Sequence, residues 1–191
     1  MKKQHNKRRP LLTITAKRGL FGRKTGGQDV KQGLVSHDIK TMLESENPKI
    51  RMQGVDALDG RIPMLKEVLE NCPSHADVAE AVASQLKVCP DMLMDMVPGL
   101  WGKYVTSNGH SPAYKAAAEV LASMVDELEN LRYNFVAYSH ISLISENALA
   151  RRISVNKLKE RKSLLHEIYM SSAFEDTRKQ AKALMDEIKG K

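Results

Sequence analysis

Asn47-Pro-Lys-Ile-Arg-Met-Gln-Gly-Val-Asp-Ala-Leu58 decides the fold of this chain. An Asn able to cap a helix precedes a Pro whose fixed φ suits the first helical turn. Behind them Ile50, Arg51, Gly54, Val55 and Leu58 recur at three- and four-residue intervals, which lays one stripe along a helix. A second stretch, Asn147-Ala-Leu-Ala-Arg-Arg-Ile-Ser-Val-Asn-Lys-Leu158, sets Arg151, Ser154, Val155 and Leu158 in the same register. Phe174-Glu-Asp-Thr-Arg-Lys-Gln-Ala-Lys-Ala-Leu-Met185 repeats it with Arg178, Ala181 and Met185. Small residues at Gly54, Ser154 and Ala181 would let neighbouring helices approach closely. Leu58 and Leu158 hold the last inward position of their helices.

Weaker copies begin at His75 and Ser111. The five starts, 47, 75, 111, 147 and 174, are 28, 36, 36 and 27 residues apart. Periods of this size belong to helical-hairpin arrays, in which each pair is marginal alone and covers its apolar face with the next. Other breaks fall at Gly60 and Pro63, at Cys72-Pro-Ser74, at Cys89-Pro-Asp91 and across 107–112. Ser36 is a good N-cap for a helix carrying Ile39, Met42 and Leu43 on one face.

The pattern over about 47–188 resembles HEAT-like repeats, whose second helix tends to read Asp/Asn-Pro-x-Val-Arg-x-x-Ala-x-x-Ala-Leu. The first and fourth copies match best, while the third carries Tyr114 and Lys115 in the Ile-Arg positions. The resemblance is one of architecture. It implies an all-α fold of stacked antiparallel helix pairs, a short HEAT-like solenoid (α-solenoid) over 36–191, with eight to ten helices and no sheet. An irregular helical bundle is the alternative.

The first 28 residues carry nine Lys or Arg and no Asp or Glu. Of 30 basic and 23 acidic residues in the chain, 21 and 23 remain for 29–191, so a +9 arm precedes a body of −2. Unpaired like charges do not enter a core. Four glycines in 19–27 oppose regular structure, and residues 1–35 read as a flexible basic arm. Aromatics are only 5% of the chain against ten Met, which favours helices over sheets.

No apolar run approaches the roughly 20 residues that span a bilayer. The stretch 11–16 is too short for a secretory signal, and Pro10 with the glycines interrupts the amphipathic helix of a mitochondrial presequence. Cys72 and Cys89 make no disulfide framework and fit a reducing cytoplasm.

Gly22-Arg-Lys-Thr25 lacks the glycine spacing, the leading strand and the following helix of a phosphate loop. Cys72 and His75 have metal-ligand spacing, but Cys89 and His110 are scattered where a structural zinc site shows two close pairs. Six histidines lie apart, and no Ser or Cys stands in a nucleophile's setting. The expectation is a non-enzymatic protein with no metal and no cofactor.

The basic arm is the most pointed feature. Lys7, Arg8 and Arg9 form one cluster; Lys17, Arg18, Arg23 and Lys24 form another. Nucleic-acid phosphates would attract them without base reading, as would anionic lipid headgroups or an acidic protein. A second basic set runs from Arg151 and Arg152 through Lys157, Lys159, Arg161 and Lys162, with Glu160 and Glu167 beside it. Met92, Met94 and Met96 fall on different helix faces, so two suit the core; Met94, with Trp101 and Tyr104 beyond, is the candidate partner-binding set. The expected function is a scaffold whose repeats hold a protein partner and whose arm docks on an anionic component of a larger assembly, nucleic acid foremost. The alternative is direct, sequence-nonspecific nucleic-acid binding by the arm together with the fourth-repeat patch.

Overall fold

The computed structural model describes residues 33–132 and 134–190. They form ten α-helices and no strand: α1 His37–Leu43, α2 Pro48–Asp56, α3 Ile62–Glu70, α4 Ala76–Gln85, α5 Pro90–Thr106, α6 Pro112–Ala122, α7 Asn134–Ile144, α8 Ala148–Lys157, α9 Lys162–Ser171 and α10 Glu175–Lys189. Each odd-numbered helix packs on the even one that follows, making five hairpins. Successive hairpins touch through α2–α4, α4–α6 and α8–α10 on one side and α3–α5, α5–α7 and α7–α9 on the other. The stacked helix pairs expected from the repeats are present.

Local chemistry places the helix starts. Asn47, His75, Ser111, Asn147 and Phe174, the five repeat starts, are the N-caps of α2, α4, α6, α8 and α10. The Asn47 side chain accepts from the Lys49 amide, that of Asn147 from the Ala150 amide, and that of Ser36 from the Ile39 amide. Each such cap contributes about 1 kcal/mol. Between α2 and α3, Gly60 takes φ +67°, a conformation L side chains rarely adopt.

The core is one continuous column of side chains. Leu58, Leu65, Leu69, Leu121, Ile141, Leu158 and Leu165 are fully buried. Burying one such side chain is worth about 1.5–3 kcal/mol. A Cβ on Gly54 would meet Met42 Cβ at 3.0 Å and Leu43 Cδ2 at 3.1 Å, so close approach of α1 and α2 requires the small residue. α7 is buried on every side from residue 137 to the following Ser145, because α5, α6, α8 and α9 all lie against it. That matches its apolar character around the whole helix.

One boundary differs from the sequence reading. Residues 33–35 belong to the body: Val35 is buried, and the amides of Leu34 and Val35 both donate to the Glu67 carboxylate, which also pairs with Lys40 at 3.2 Å. α5 runs through Pro98, whose ring lies on its exposed side. The seven basic residues singled out in the arm, 7 to 24, lie outside the described residues.

Candidate functional site

Arginines at equivalent positions tie the ends of the array. Arg51 Nη1 donates to the carbonyls of Ser45 (2.7 Å) and Glu46 (3.1 Å), closing the loop before its own helix. Its Nε and Nη2 reach Asp77 of the next hairpin at 3.0 and 2.7 Å. A hundred residues on, Arg151 Nη1 donates to the carbonyls of Ser145 (2.7 Å) and Glu146 (3.1 Å). It also reaches Thr177 Oγ1 and Asp176, each at 3.0 Å, and lies 3.7 Å from the centre of the Phe174 ring. Arg178 closes its own loop through the Ser172 carbonyl at 2.6 Å. The hydrogen bond from Arg51 holds the Asp77 carboxyl below its ordinary range, and Arg151 does the same for Asp176.

This overturns Arg151 as a phosphate-binding residue. It is only 5% exposed and its guanidinium is consumed by the stack. The corresponding positions of the second and third hairpins are Ala79 and Lys115, and there the arginine device lapses.

The rest of the fourth-repeat basic set stays on the surface. Arg152, Lys159, Arg161 and Lys162 are exposed, and Lys157 pairs with Glu129 at 2.8 Å. Arg161 lies 5.0 Å from the centre of the Phe135 ring. Lys157, Lys159 and Arg161 surround a cavity of about 380 Å³ together with Glu129, Glu160 and Tyr138.

The second candidate set lies on α5. Trp101 and Tyr104 are half-buried and stacked with ring centres 5.7 Å apart. Both rest on Tyr114 of α6, at 5.2 and 5.1 Å, and Tyr114 is fully buried. The Tyr114 hydroxyl shares a 2.8 Å hydrogen bond with His140 Nδ1 of α7. Burial pulls the His140 pKa down to about 4, so the imidazole is neutral near pH 7, and burial raises that of Tyr114. Beside this cluster Pro98, Gly99 and Gly102 are exposed, and a Cβ on either glycine would meet nothing within 4 Å; Asp95, Lys103, Val105 and Thr106 are the exposed side chains around them.

Met94 is not part of that surface. It is 2% exposed and Met96 5%, because α5 buries 93, 94, 96, 97 and 100 against several neighbours at once; Met92 is the half-buried one. The sequence also missed the Tyr114–His140 and Lys157–Glu129 contacts. Their partners lie 26 and 28 residues apart, on separate elements, where no local spacing signals them.

Among the described residues no three His, Cys, Asp or Glu gather as a metal site, and no helix is long and apolar enough to cross a membrane. Compared with protein-family models, curated proteins and solved structures, the chain matches none.

Proposed function

We propose that this chain is a non-enzymatic scaffold of the HEAT-like kind, cytoplasmic, which holds a protein partner on its helical array. The N-terminal basic segment, with Lys7, Arg8, Arg9, Lys17, Arg18, Arg23 and Lys24, docks on an anionic component of the same assembly, nucleic acid foremost. The observation that carries the partner reading is the α5 surface. Trp101 and Tyr104 offer aromatic edges held rigid from beneath by Tyr114, beside the open positions Gly99 and Gly102. Aromatic anchors on a preorganised support are the residues that dominate protein interfaces.

Gly102→Arg tests the reading. The added side chain has open space and improves helix propensity, so the fold should hold. Affinity purification of the wild-type and variant full chains from nuclease-treated extract should then recover a protein partner with the first and lose it with the second. The same partner recovered equally by both removes α5 as the docking surface. Changing Lys7, Arg8, Arg9, Lys17 and Arg18 to Ser should leave that partner attached and abolish most nucleic-acid retention. That retention should also fall steeply between about 50 and 200 mM salt.

A further inference from the structure

α5 carries an exposed stripe whose two halves differ in charge. Asp91, Asp95, Pro98, Gly102 and Val105 follow one another at intervals of four, three, four and three residues, and all five are exposed. That spacing sets them along one side of the helix, as in a seam between two helices. Val105 is 51% exposed, and the half-buried Trp101 borders the stripe between Pro98 and Val105. Gly99 and Gly102 leave the middle open, so another backbone can come close there and cover the apolar groups beside it.

The charges are ordered along the same axis. Asp91 and Asp95 stand in the first half, and neither enters a salt bridge among the described residues. Lys103 stands in the second half, where the Glu70 carbonyl takes one of its three donors. Lys87, the cation nearest the acidic end in sequence, lines the separate groove between α4 and α6.

Such a face is complementary to itself when inverted. Asp95 and Lys103 lie four residues to either side of Gly99. Two copies of α5 laid antiparallel across a two-fold axis at Gly99 therefore bring Asp95 of each to Lys103 of the other. The helices cross at the glycines, and opposite ends of their dipoles lie together. Laid parallel, acid would face acid.

We propose that the occupant of the α5 surface is a second copy of this chain, in an antiparallel two-fold dimer crossing at Gly99. This rests on α5 as the docking surface and names the partner it takes.

The test is sedimentation equilibrium of the nuclease-treated full chain over a range of concentrations, with circular-dichroism melts to show that each variant is folded. A monomer–dimer equilibrium is expected, and Gly102→Arg should abolish it by placing a long side chain at the crossing. Reversing one end, by Asp91→Lys with Asp95→Lys or by Lys103→Glu, should weaken dimerisation about tenfold or more, because like charges then meet on both sides of the axis. Mixing the two reversed chains should restore a one-to-one dimer, since every altered charge meets its opposite. A monomer at all concentrations, a dimer indifferent to Gly102→Arg, or reversed chains that fail to pair when mixed overturns the proposal. Failure of the docking reading is distinct. If the purified chain is monomeric while Gly102→Arg still loses a protein from extract, α5 binds a different protein and only the dimer falls. If Gly102→Arg changes neither, α5 is not a docking surface and both fall.

Discussion

The joins at 45–61 and 145–161 meet the same demand as the join at 111–123 with different chemistry. In the outer pair a buried or half-buried arginine closes its own loop and grips the following hairpin, with a fully or nearly buried small residue, Gly54 or Ser154, three positions on. At the centre Lys115 points outward, and the join is made by Tyr114 against Trp101, Tyr104 and His140. Even the next hairpin is reached differently: Glu119 accepts from the Ser145 hydroxyl at 3.0 Å and the Glu146 amide at 2.5 Å. Arginine staples fix geometry at the ends, whereas the middle combines aromatic packing with the Tyr114–His140 and Glu119 hydrogen bonds. The middle is therefore where an aromatic surface was free to form.

The largest effect should be common to both ends. Leu58→Ala and Leu158→Ala should each cost about 2–5 kcal/mol in denaturant unfolding, since both side chains are fully buried at equivalent positions. One severe and one mild result would break the equivalence.

Next comes a pH response peculiar to the centre. The folded His140 pKa, about 4, lies below the unfolded value of roughly 6.5, so the unfolded chain binds the extra proton first. The stabilisation from the neutral imidazole is whole above about pH 6.5 and is lost as pH falls towards 4, up to about 3 kcal/mol. Melting temperatures across that window should fall for the wild type and flatten in His140→Gln. The arginine-held carboxyls Asp77 and Asp176 are depressed, so they add their own loss only below the ordinary Asp range of about 4.

Arg151→Met should cost about 2 kcal/mol and Arg51→Met somewhat less. Arg151 is the more buried of the two, at 6% side-chain exposure against 11%; their Asp partners stay wet, which limits both effects. Equal stability of Arg151→Met and wild type in urea titration would demote the staple to decoration.

The smallest test contrasts the two small residues. Gly54→Ala must push against Met42 and Leu43 and should destabilise by about 1 kcal/mol despite better helix propensity. Ser154→Ala removes a buried hydroxyl that has no partner and should be neutral or stabilising by a similar amount.

The helix starts were legible because caps and N1 prolines act within four residues, and all five repeat starts proved to be N-caps. Arg151 was misread although its register was plain. Its equivalence to Arg51 pointed inward, while the run of basic neighbours invited a surface reading. Met94 was misread by treating alternate methionines alone; taken with Leu93, Val97 and Leu100 they border a wide buried face. The cavity beside Tyr138 had no sequence signal, since it is assembled from Glu129, one turn of α7 and the α8–α9 join.

The arginine grips also bear on how the array comes apart. Arg51 binds the first hairpin to the second and Arg151 the fourth to the fifth, while the third is bound to its neighbours without arginine, by Lys103 on the Glu70 carbonyl and by Glu119 on Ser145 and Glu146. Opening an end hairpin thus strips a partner from its neighbour, so the ends should release as two-hairpin blocks rather than one helix at a time. Pulled from both termini, the molecule would come apart in two large steps flanking one short one, and amides of α1 to α4 would share a single exchange rate distinct from that of α7 to α10.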